Sequence, residues 1–247
     1  MRAFRTMLAT EMKLALRGMD MVIFGIIMPL IVMIILGIVY GEKPAFEGAG
    51  YTFLSQSFGA LAAIAICASG VMGLPLVVAD YRNKKILKRY KVTPISPLML
   101  LFVQVAVYTV FSMVSLVLLY LCGRIFFGLQ LGGKWYAFLG AYLLVLLSMF
   151  SLGMMVGAIS PNIKTSNLLC SLLYFPMLIF SGTTLPYEVM PKVLQRTADF
   201  LPLTQGIKLL KAASLGLPVG EVFLPVIVML ALTVICVAAS IRFFRWE

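Results

Sequence analysis

Residues 80–97 read DYRNKKILKRYKVTPISP. Arg82, Lys84, Lys85, Lys88, Arg89 and Lys91 stand here, six of the chain's twenty basic residues, and long uncharged runs flank them on both sides. That contrast describes a charged loop joining two membrane spans. At about 100° per residue, a helix over 82–91 sets Ile86, Leu87 and Tyr90 on one arc and all six basic side chains on the opposite half. Thr93-Pro94 stops such a helix, and Pro97 can open the next one. The stretch is therefore expected to form a short amphipathic helix at the cytoplasmic face of a membrane protein.

Composition agrees with this. Of the 247 residues 62% are hydrophobic and 12% charged, with a mean hydropathy of +1.05, whereas soluble domains carry roughly 25% charged residues. Six segments reach the roughly 20 apolar residues that a helix needs to cross a bilayer, approximately 21–40, 51–79, 98–122, 135–159, 165–184 and 222–241. Runs such as LVLLYLCG and AYLLVLLSMF are apolar all round, so the expected fold is all-α rather than a barrel. With both ends on one side, thirteen Lys and Arg lie on that side and seven on the other. By the positive-inside rule both termini are cytoplasmic. The net charge of +11 flanks membrane spans, which argues against nucleic acid as its partner. The first apolar run is of full span length and lacks a small-residue cleavage site, so no cleavable signal peptide is read.

Residues 1–20 form a further element. MRAFRTMLATEMKLALR puts Phe4, Met7, Leu8, Met12, Leu14 and Ala15 on one face and Arg2, Thr6, Lys13 and Arg17 on the other, as expected of a helix lying in the interface. The second span is rich in small residues, GALAAIAICASGVMG, and so is expected to face other helices, whether for packing or to line a pathway. Gln56, Ser57 and Gln104 are the polar residues that can face a cavity or bond to a neighbouring helix. Ser160-Pro161-Asn162 signals a turn, and Pro176 should kink the fifth span. The connection 185–221 suggests two short helices, 186–200 and 203–215, split at Leu201-Pro202 and ended by Gly216, partly buried against the outer ends of the spans.

Several chemistries are unsupported. The chain has no histidine, which removes Ser-His catalysis, HExxH sites and His proton relays. Cys67, Cys122, Cys170 and Cys236 stand singly and read as buried structural thiols. Gly132-Gly133-Lys134-Trp135 lacks the first glycine and the Ser/Thr of a phosphate loop. An intramembrane enzyme would have to rest on Glu188 and Asp199, eleven residues apart and without a nucleophile motif. An ion-coupled carrier or a channel is a further class, although the spans lack the charged groups of an ion-coupled carrier.

Three stretches carry a resemblance. LKRYKVTPISPLMLL (87–101), SLGMMVGAISPNIKTSNLLCSLLYFPMLIFSGTTLP (151–186) and FLPLTQGIKLLKAASLG (200–216) resemble, in order and spacing, type-2 membrane subunits of ATP-binding-cassette exporters. The chain departs from the family's Glu-rich segment before the basic run, since Asp80 is the only carboxylate there. The resemblance implies a single domain over 1–247, in a bacterial plasma membrane, with 80–97 as the cytoplasmic coupling loop. It implies a second permease copy or paralogue, and cytoplasmic ATPase subunits that bind ATP and Mg while this chain holds no cofactor and no metal. Coupling falls to Arg82, Lys84, Lys85, Ile86, Leu87, Lys88, Arg89 and Tyr90. Gln56, Phe58, Tyr174, Phe175 and Met177 are the candidates for the cargo pathway, near the second and fifth spans. The Leu-Pro-Leu-Thr segment is closer to drug and antibiotic exporters than to exporters of polysaccharide or another glycoconjugate, and uncharged spans suit a lipophilic cargo.

Overall fold

The computed structural model describes residues 2–41, 43–45, 50–86, 97–180, 191–217 and 223–244. Nine helices run through them: α1 Arg2–Gly18, α2 Asp20–Tyr40, α3 Phe53–Asn83, α4 Pro97–Phe127, α5 Trp135–Ile159, α6 Ile163–Ile179, α7 Lys192–Asp199, α8 Pro202–Leu215 and α9 Phe223–Phe243. No strand occurs among the described residues, only an isolated bridge between Pro44 and Thr52. Five helices, α2, α3, α4, α5 and α9, are long and apolar enough to cross a membrane. The expected six spans are thus not all matched: α6 has 17 residues, about 25 Å against a hydrocarbon core of about 30 Å. Its expected continuation to 184 lies outside the described residues.

The bundle has a basic end and an opposite end. Arg17, Lys84, Lys164 and Arg242 gather where α1 stops, α3 ends, α6 begins and α9 ends. Tyr40 stacks on Phe53 at the opposite end, with ring centroids 4.2 Å apart. In the most apolar windows of α3 and α5, 72% and 67% of residues are buried, against 22% for α2 and 17% for α9. The small-residue second span is therefore the centre of the bundle, as its composition predicts, while α2 and α9 turn Ile31, Ile35, Ile38, Val234 and Ile235 outward.

Backbone contact explains the small residues. A Cβ on Gly153 of α5 would fall 1.9 Å from the Gly70 carbonyl oxygen of α3, and one on Gly70 2.7 Å from the Phe150 ring. Gly70 lies in a wide π-helical turn, Ala68–Gly73, just before Pro75, and a second wide turn, Ile23–Ile27, precedes Pro29. Proline cannot donate to the carbonyl four residues back and its ring crowds it, so the preceding turn opens. Polar bridges then fix the bundle centre. Ser69 Oγ lies 2.8 Å from Ser112 Oγ, Tyr142 OH donates to the Ser112 carbonyl at 2.7 Å, and Ser148 Oγ donates to the Met229 carbonyl at 2.9 Å. These join α3, α4, α5 and α9.

Helix boundaries follow local chemistry where it is strong. The Asn162 side chain accepts from the Thr165 N–H at 2.9 Å and starts α6 two residues earlier than expected. Gly216, at φ 72°, closes α8 as its sequence predicts. Helix α8 is buried more deeply than expected: Leu203, Leu209 and Leu210 are fully enclosed, and Gly206 packs on Val145 and Met229 from within the bundle. Lys208 does not simply point to water, because its Nζ pairs with Asp199 Oδ1 at 2.6 Å.

Candidate functional site

The charged stretch that organises the sequence is divided by the structure. The expected helix over 82–91 does not form as one element. Helix α3 runs to Asn83, four residues past the expected end of the second span, and Lys85 takes a left-handed φ of 55°. Arg82 therefore belongs to the last turn of a membrane span. Leu87, Lys88, Arg89 and Tyr90, with Lys91 and Thr93-Pro94, lie outside the described residues.

Arg82 is 8% exposed, a correction to its expected place on the water-facing half. Its Nη1 donates to the Gly157 carbonyl at 3.1 Å and to the Ser160 carbonyl, and its guanidinium lies over the Phe244 ring, 5.4 Å from the centroid. The last carbonyls of α5 lack intrahelical partners and carry the negative end of the helix dipole, so a buried cation is suited to them. Burying the charge is tolerable because carbonyl acceptors and an aromatic face replace water around it.

The residue before it reaches in another direction. Tyr81 OH donates to Glu11 Oε2 of α1 at 2.5 Å, and Gln104 Nε2 of α4 donates to the same oxygen at 2.7 Å. Gln104 thus binds a neighbouring carboxylate rather than facing a cavity. Through adjacent residues, the end of α3 grips α1 and α4 on one side and α5 and the end of α9 on the other. Beyond this grip, Lys84 Nζ pairs with Asp80 Oδ2 at 2.7 Å on the surface, Lys85 is exposed and Ile86 packs partly against the core.

Sequence reasoning missed Glu11, Tyr81 and Phe244. For Glu11 a signal existed: Phe4, Met7, Leu8, Met12 and Ala15 pack inward from α1, and position 11 falls on the same arc. A carboxylate there needs partners. Leu14, expected on that face, is instead 54% exposed.

The cargo candidates do not converge. Phe58 is 1% exposed and stacked on Phe138 at 5.5 Å, and Met177 is 2% exposed, so both lie in the core of this chain. Tyr174 is half-buried with its ring edge-on to Phe175 at 5.8 Å, and Phe175 is exposed, in line with Leu168, Leu172 and Ile179 on one stripe of α6. Gln56 has a buried Oε1 without a hydrogen-bond partner. Glu188, half of the enzymatic pair considered above, lies outside the described residues, and Asp199 is engaged by Lys208. Among the described residues no group of three or more His, Cys, Asp or Glu is arranged to hold a metal.

Apolar helices of spanning length, a central pair of spans in backbone contact and an end of α3 held by α1, α4, α5 and the end of α9 define a multi-pass membrane protein. Residues 2–215 match the ABC-2 type transporter family. The chain belongs to that family, whose membrane domain is a transport permease working with ATP-binding-cassette ATPase subunits. It is also similar to nodulation protein J of Neorhizobium galegae, 38% identical over 78 residues, and to that of Rhizobium leguminosarum bv. viciae, 37% identical over 78 residues; each match covers 32% of this chain and 30% of the relative. Nodulation protein J of Sinorhizobium fredii is 32% identical over 94 residues, 38% of this chain and 34% of the relative. The matched segment thus spans only about a third of those relatives' own length.

Proposed function

We propose that this chain is the permease subunit of an ATP-driven exporter, that its basic end faces the cytoplasm, and that it works as a pair with a second copy or a paralogue. The observation that carries the reading is the grip of Tyr81 and Arg82 on four helices immediately before the basic loop. A push on that loop from closing ATPase subunits reaches α1, α4, α5 and α9 through one turn of α3. Ile86, Leu87 and Tyr90 supply the apolar contact with the ATPase, and Lys84, Lys85, Lys88 and Arg89 the charged rim. Arg82 acts within this chain, as the link between loop and bundle.

The cargo is lipophilic, of the drug, antibiotic or lipid-like kind. Uncharged spans and the exposed apolar stripe of α6 that includes Phe175 support this, with Tyr174 beside it and Gln56 as a polar contact. Purification from native membranes, followed by ATPase assays in proteoliposomes, tests the reading. An associated ATPase stimulated by lipophilic compounds is the expected result. Stimulation by polysaccharide or glycoconjugate alone would move the cargo class, and transport by the isolated chain without ATP would make it a carrier or channel.

A further inference from the structure

A groove of about 560 Å³ opens sideways between α4, α5 and α9 in the basic-end half of the bundle. Phe150 and Ser151 of α5 are buried at its floor, Phe102 and Ile241 are exposed at its rims, and Val237 and Phe244 line the α9 wall. Two of its hydroxyls are already committed: Ser151 Oγ donates to the Ser148 carbonyl and Thr233 Oγ1 to the Met229 carbonyl, each at 2.8 Å. What these groups present to the groove is therefore hydrocarbon, which fits an alkyl chain and offers little to a polar ligand.

Charge selects the kind of chain. None of α4, α5 and α9 carries an Asp or Glu. Arg242 is exposed in the same last turn of α9 as Ser240 and Ile241, and the Phe244 ring that lines the groove carries the Arg82 guanidinium on its face. An alkyl chain lying here brings its headgroup to an end of the bundle dominated by positive charge.

We propose that this groove binds one acyl chain of an anionic phospholipid from the leaflet at the basic end. The lipid then touches Phe244, and through it the guanidinium that caps α5. Lipid occupancy and the position of the α3 end are thereby linked. The site does not depend on the identity of the cargo or of the ATPase.

The test uses the purified full chain in bilayer nanodiscs with phosphatidylglycerol or phosphatidylcholine, each spin-labelled on the acyl chain, reading the motionally restricted fraction. Phosphatidylglycerol should be favoured about fivefold, the effect of one basic residue at an anionic surface, and Arg242→Ala should abolish the preference. Val237→Trp fills the groove at a half-exposed position and should at least halve the restricted fraction. Val234→Trp, also on α9 but outside the groove, should leave it unchanged, and gel filtration of both variants checks that they remain folded. Equal restriction of the two lipids by the wild-type chain, or equal effects of the two tryptophans, overturns the proposal. Disulfide trapping between two copies at Val237→Cys, in a background without the native cysteines, would seat a second copy in the groove and overturn it as well.

Discussion

Arg82 shows how far one side chain's meaning depends on where a helix ends. By periodicity it was one of six cations on a solvated face, but the apolar span runs on to Asn83, so it is enclosed and its guanidinium is matched to the end of α5. Nothing in composition marks that difference, because the partners are carbonyls 75 and 78 residues away. Replacing Arg82 by Met should destabilise the chain by about 1.5–3 kcal/mol, the usual value of hydrogen bonds to a charged group. Lys84→Met, which removes an ion pair whose lysine side chain is 62% exposed, should cost under about 1 kcal/mol. Thermal unfolding in detergent compares the two, and equal losses would contradict the assignment of Arg82 as a buried link. Glu11→Leu removes the acceptor shared by Tyr81 and Gln104, leaving the buried Gln104 Nε2 with its longer 3.1 Å bond to Tyr81 OH and cutting the tie to α1. Limited proteolysis should then release α1 at least several-fold faster, while Leu14→Ser, on the exposed face, should leave cleavage as it was.

At the scale of helices, the sequence was legible wherever length and punctuation agree. Trp135–Ile159 has the expected bounds, Pro97 opens α4 and Gly216 closes α8. Small residues identified α3 as a helix-facing span, although its crossing with α5 through Gly70 and Gly153 needs the partner backbone to be seen. Helix α8 was harder to read, since its apolar and polar residues suit an outer surface and only tertiary packing draws it inward. Gly153→Ala forces α3 and α5 apart and should cost about 1–3 kcal/mol by overpacking. Gly140→Ala, on the same helix with nothing within 4 Å of the added carbon, should be neutral or stabilising by up to about 1 kcal/mol. A tolerated Gly153→Ala would mean that the two spans do not cross in backbone contact.

For the whole molecule, the all-helical class and membrane character follow from uncharged runs alone, whereas the hold of the α3 end on its neighbours does not. The basic loop was recognisable as a cluster of charge with an apolar arc. What it is attached to became visible only in the folded chain, where Tyr81 and Arg82 hold α1, α4, α5 and the end of α9 around the end of α3. The end of α3 from which the loop departs is thus held by four other helices, as the proposed coupling role requires and a mere topology signal does not. The most direct measurement is ATP hydrolysis and export, side by side in proteoliposomes, for the complex carrying Ile86→Ser, Leu87→Ser and Tyr90→Ser together. Hydrolysis that continues while export falls at least about tenfold is the predicted result; export at the wild-type rate would contradict the account.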